Sequence, residues 1–224
     1  MMHIRSFFIV LLMGLLLSSC SHHKKMEAID FGVDISHHQH QIQWKDVPKV
    51  QFLYIKATEG STWRDCYYLL NLKGAQRRHI PVGTYHFFRM TSGAHDQFAN
   101  FSSYVPQELQ DLIPMVDVET LDGFSVEEVR DSLQVFLNLV EKQYGSKPML
   151  YSSMSLANRL LADQFNDYPL YIGFYGKTQP QLQHRSSFTI WQYSEKGRLP
   201  GIRKHVDKAR FVDGASIQSI LLKK

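Results

Sequence analysis

The chain has 224 residues, 44% of them hydrophobic and 21% charged, with a formal net charge of +4. Such a length builds one large domain or two small ones with a real core, and the composition excludes disordered and fibrous classes. There is no long basic run, base-stacking motif or phosphate-cradling glycine loop, so a nucleic-acid partner is excluded too.

Arg5 precedes an apolar run from Phe7 to Leu17, too short to span a bilayer and placed where a signal peptide belongs. It ends in Leu17-Ser18-Ser19-Cys20, which resembles the lipobox of bacterial lipoproteins. That resemblance implies cleavage before Cys20, a lipid on its thiol, and residence in the bacterial envelope anchored to a membrane. An ordinary signal peptide with an incidental cysteine is the alternative. Residues 1–19 are thus expected to be a lipoprotein signal peptide, 20–28 a lipidated Cys20 with a flexible tether, and 29–224 one domain. Losing Arg5 leaves 24 basic against 21 acidic residues, or +3. Cys66 would then be alone, with no disulfide available, and is expected to pack as a small apolar residue in a helix. A monomer is expected.

Ile29 to Ile35 alternates as a strand, with Phe31, Val33 and Ile35 on one face and Gly32, Asp34 and Ser36 on the other. Phe52 to Ile55 forms a second strand, ending in Lys56-Ala57-Thr58-Glu59-Gly60. Asp65–His79 is helical in pattern, Pro81–Phe88 strand-like, and Ala94–Tyr104 helical. Next comes Ile113-Pro114-Met115-Val116-Asp117-Val118-Glu119, an apolar run ending in two carboxylates. Strand alternation points Asp117 and Glu119 the same way, about 6–7 Å apart. Ser125 and Glu128 then form a capping box ahead of the stripe Val126, Val129, Leu133, Phe136, Leu137 and Val140, and Gly145 ends the helix. Met149–Ser152 is a strand, Ser155–Ala162 a helix, and Pro169–Phe174 and Phe188–Tyr193 are strands with no helix between them. The tail, Gly201–Leu222, holds a short strand near Val206.

Alternating strands and helices predict an α/β fold: an irregular TIM-like barrel of about eight strands and about five helices, its last third partly antiparallel. The C-terminal strand ends of such a barrel meet at one mouth, gathering Asp34, Glu59, His86, Asp117, Glu119 and Gln192. Paired carboxylates facing one cavity suit acid/base cleavage of a glycosidic bond.

At this point the chain resembles glycoside hydrolase family 25, lysozymes that cleave peptidoglycan between N-acetylmuramic acid and N-acetylglucosamine. The matching pieces come in the family's order: Gly32-Val33-Asp34-Ile35-Ser36, Lys56-Ala57-Thr58-Glu59-Gly60, Gly83-Thr84-Tyr85-His86-Phe87, Val116-Asp117-Val118-Glu119, Tyr151-Ser152-Ser153, Trp191-Gln192-Tyr193 and Val206-Asp207. They cover 31–211, so 29–224 is expected to be the catalytic domain. The resemblance implies Glu119 as general acid, Asp117 beside it, Asp34 and Asp207 as further catalytic carboxylates, and Tyr85, Phe87, Tyr151 and Trp191 in or near the sugar groove. It implies no cofactor.

Asp117 is placed to orient the substrate's own acetamido group, to attack directly, or to activate water; all three remain open. Asp213 follows Asp207 in a similar Val-Asp dipeptide. Gln192 could bond a sugar hydroxyl or pack a hairpin. Glu59 is left out of the catalytic set as a partner of Lys56, and His86 reads as a hydrogen-bonded strand residue. His37-His38-Gln39-His40 departs from the family's aromatic-rich loop; lacking a matching ligand set, it predicts a solvated loop rather than a metal site. Two rivals stand beside the muramidase: a wall-binding protein without catalysis, and a glycosidase on another N-acetylated glycan such as chitin.

Overall fold

A computed structural model of the chain describes residues 29–161, 163–212 and 214–223. The signal-like segment, Cys20 and the tether lie outside the described residues, as do Ala162 and Asp213.

The elements run β1 (Gly32–Ile35), β2 (Leu53–Glu59), β3 (Trp63–Arg64), α1 (Tyr68–Arg77), β4 (Val82–Phe87), α2 (Ala94–Tyr104), β5 (Met115–Asp117), α3 (Val126–Tyr144), β6 (Met149–Ser153), α4 (Met154–Leu160), β7 (Leu170–Gly173), β8 (Ile190–Leu199) and β9 (Ile202–Phe211). Strands β1, β2, β4, β5, β6, β7 and β8 pair in parallel, in that order. β9 lies antiparallel between β8 and β1 and closes the barrel, while β3 is a short antiparallel flap on β2. The expected α/β barrel is therefore present, mixed rather than all-parallel.

Helix α3 shows how local chemistry sets an element. Ser125 Oγ accepts from Glu128 N at 3.2 Å while the Glu128 carboxylate accepts from Ser125 N at 2.8 Å. Such a cap is worth about 1 kcal/mol. Val129, Leu133, Phe136, Leu137 and Val140 are buried against the barrel. Burying five such side chains contributes on the order of 10 kcal/mol as an upper bound. Gly145, at φ +67°, ends the helix in the left-handed conformation that a Cβ disfavours.

Three expectations need correction. Four α-helices are present among the described residues, where about five were expected, because the parallel β1–β2 and β7–β8 connections carry no α-helix. The short strand near Val206 is instead the ten-residue β9, paired with the ten-residue β8 around Pro200-Gly201, with Gly201 at φ +83°. Cys66 is exposed in a turn, not packed in a helix. The Asp65 carboxylate accepts from Tyr67 N (2.9 Å) and His37 N (2.7 Å), holding 65–67 as a turn and delaying α1 to Tyr68.

Candidate active site

A cavity of about 330 Å³ opens at the C-terminal ends of the parallel strands. Five carboxylates line it (Asp34, Asp117, Glu119, Glu195 and Asp207), with Lys56, Tyr85, Phe87, Tyr151, Tyr175 and Gln192. Asp117 ends β5, and Val118 N bonds Tyr151 O at 3.0 Å, so Glu119 emerges just beyond the strand on the cavity side. Asp117 is buried; Glu119 stands exposed at the mouth.

Desolvation, then the charge of Glu119, holds the Asp117 carboxyl well above the usual range. Crowding by the walls also raises Glu119, more weakly given its exposure, and a hydrogen-bonding contact with Asp117 works against that rise. The two carboxyls are in hydrogen-bonding contact, so they can share a proton. Asp117 Oδ1 is buried and receives no hydrogen bond from any described protein group.

A second pair lies across the floor. Asp34 and Asp207 are direct partners across β1 and β9. Tyr171 donates to Asp34 Oδ2 at 2.7 Å, and Gln192 Nε2 donates to the same oxygen at 3.1 Å. Burial nevertheless raises Asp34, and burial beside Asp34 pushes Asp207 up to about 8. Gln192 Oε1 accepts from both Tyr151 and Tyr175 at 2.9 Å. Gly173 leaves room for this junction: a Cβ there would meet the Tyr151 hydroxyl at 2.7 Å.

Among the described residues Lys56 is the one Lys or Arg lining the cavity, and it moderates the rise of Asp117 and Glu119. Its ammonium pairs with Glu59 at 2.8 Å and lies 4.6 Å from the Phe87 ring centre. Glu59 in turn pairs with Arg89, which pairs with Asp122. A bulge between Lys56 and Thr58 breaks the alternation of β2, so Lys56 faces the cavity while Thr58 faces away.

The structure thus brings Asp34, Asp117, Glu119, Asp207, Tyr85, Phe87, Tyr151 and Gln192 to one cavity. It does not bring Trp191, which is buried outside the cavity, donates Nε1 to Phe174 O at 2.7 Å and lies 4.6 Å from the Arg210 guanidinium. Nor does it bring His86 to the mouth. With Tyr85 and Phe87 turned inward, His86 points outward, stacked on Phe136 of α3 at 4.7 Å. Thr58 and Gln97 hold its two ring nitrogens, and burial lowers it to about 4, a neutral packing residue. Sequence reasoning missed Lys56, Tyr171, Tyr175 and Glu195. A lysine closing an apolar strand was the available signal for Lys56; the tyrosines read as ordinary core.

A closed barrel with paired, desolvated carboxylates at its C-terminal mouth defines a glycoside hydrolase site. Residues 33–202 match the model of Glycosyl hydrolases family 25. The chain is 32% identical over 183 residues to the uncharacterized protein YegX of Escherichia coli K12, covering 79% of this chain and 67% of that one. It is 28% identical to an autolytic lysozyme of Clostridium acetobutylicum, covering 82% of this chain and 56% of the relative. It overlays a family 25 glycosyl hydrolase from Bacillus anthracis with a TM-score of 0.76 at 32% identity, covering 88% of this chain and 95% of that one. The chain belongs to glycosyl hydrolase family 25 and is a glycoside hydrolase.

Proposed function

We propose that this protein is a lysozyme, an N-acetylmuramidase that cuts the β-1,4 bond between N-acetylmuramic acid and N-acetylglucosamine in peptidoglycan. With the one proton of the Asp117–Glu119 pair on Glu119, that residue gives it to the glycosidic oxygen as the bond to the anomeric carbon breaks. The substrate's acetamido oxygen attacks that carbon while Asp117 accepts the amide hydrogen. Water then opens the cyclised sugar and returns a proton to Glu119, so configuration is retained. The observation carrying this reading is Asp117 Oδ1, a buried acceptor that no group among the described residues satisfies, beside a mouth-facing acid. Asp34 and Asp207, sharing one proton, hold a single negative charge beneath the oxocarbenium-like transition state, and Gln192 is placed to contact sugar hydroxyls. The enzyme acts as a monomer in the bacterial envelope, tethered through a lipid on Cys20.

Mass spectrometry of fragments released from purified peptidoglycan tests the bond. Muramic acid at the new reducing end is expected. N-acetylglucosamine there, or cleavage of chitin alone, would transfer the activity to another bond or glycan. Binding without release would leave a wall-binding protein. NMR of the first-formed anomer tests the route, and inversion would recast Asp117 as a base for water.

A further inference from the structure

Beside the catalytic cavity lies a second groove of about 290 Å³, lined by Gln39, His40, Gln41, Gln43, Arg203 and Lys204. Gln39 lines both hollows and divides them. Its Nε2 donates to His205 O at 2.8 Å and its Oε1 accepts from Ser36 N at 2.7 Å. Gln43 N donates to Gly201 O at 2.8 Å. These bonds pin the β8–β9 hairpin to the loop after β1, so the groove is built before any ligand arrives.

Its chemistry is one-sided. Among the described residues, three carboxamides, an imidazole and two exposed cations line it, and no carboxylate does. Among the described residues, Arg203 and Lys204 have no ion-pair partner. The hairpin, 190–211, carries six Lys and Arg against Glu195 and Asp207, both of which face the catalytic cavity. The remainder of the chain holds 19 basic and 19 acidic residues, so the whole excess of +4 sits on this hairpin.

We propose that this groove binds the acidic peptide branching from the muramic acid of the strand held in the cavity. The proposal rests on the muramidase reading. Peptide carboxylates pair with Arg203 and Lys204, and peptide amides meet the carboxamides of Gln41 and Gln43. A phosphodiester polymer would match the cations but not the amide donors and acceptors.

Binding of Glu119→Gln, which leaves strands uncut, is measured on intact walls, on walls stripped of peptide, and on walls stripped of phosphodiester. We expect about tenfold tighter binding to intact than to peptide-stripped walls, weakening with salt. Adding Arg203→Gln and Lys204→Gln should abolish that preference. Lys196→Gln with Lys208→Gln, which removes equal charge from the same hairpin outside the groove, should keep it. Urea denaturation verifies folding, and Lys204→Glu should weaken binding to intact walls further than Lys204→Gln. A preference that tracks phosphodiester, survives the groove variant, or falls equally in the control overturns the proposal. Muropeptide release by wild type is scored separately: release without a peptide preference sinks only the groove, while no release sinks the muramidase reading.

Discussion

Asp34 on β1 and Asp207 on β9 stand directly opposite each other across an antiparallel pair, with their carboxyls in hydrogen-bonding contact. Two such groups cannot both ionise without strong repulsion, so folding takes up a proton. A carboxyl whose pKa rises on folding stabilises the fold at low pH, and that contribution is lost as pH climbs from the ordinary value of 3.8 through about 8. Asp207→Asn should therefore melt several degrees higher than wild type at pH 8, with the gap closing towards pH 4, while activity falls. Calorimetry across that range checks it, and a gap that widens in acid would contradict the shared-proton account.

Asp117 and Glu119 divide the chemistry. Glu119→Gln should lose turnover by about a thousandfold or more while still binding walls, because volume is kept and the transferable proton is not. Asp117→Asn should lower kcat by orders of magnitude with little change in KM, since its hydrogen bond strengthens in the transition state. Steady-state kinetics on a soluble muropeptide oligomer separates the two parameters. A pure KM effect for Asp117→Asn would reduce that residue to substrate binding.

Lys56 should set the alkaline side of the pH profile. Its ammonium favours the ionised forms of Asp117 and Glu119, so Lys56→Met should raise both pKa values and move the alkaline limb of kcat/KM to higher pH. Loss of activity with an unmoved limb would mean that Lys56 serves only to hold Glu59 and Phe87 in place.

Tyr171→Phe removes the shortest hydrogen bond to Asp34, leaving a buried acceptor short of a donor. The expected cost is about 1–3 kcal/mol of stability, read as a lower urea midpoint at unchanged slope. An unchanged midpoint would show that Gln192 alone satisfies Asp34.

Cys20→Ala should abolish incorporation of a fatty-acid analogue and release the protein from the membrane fraction. Equal labelling of both proteins would remove the lipoprotein proposal. The motive is the Leu17-Ser18-Ser19-Cys20 sequence following an apolar run of signal-peptide length.

Much of this was written locally. The capping box and apolar stripe of α3 follow from spacing alone, and the carboxylates at the ends of β1 and β5 were readable as a site because strand alternation points them away from their apolar neighbours. Pro200-Gly201 was readable turn chemistry too, but the exposed, charged flanks of its hairpin show no apolar alternation and hid the length of β8 and β9. Tertiary structure alone decided that Gln192 and not Trp191 reaches the cavity, that His86 turns to the helices, and that Thr58 turns away from the cavity where a bulge separates it from the inward Lys56. It alone set Asp207 against Asp34 and brought Tyr171 to the same carboxylate. The physical reason is that barrel strands are buried on both faces: a period of two separates the faces of a strand without saying which is interior, and pairing between distant strands then chooses.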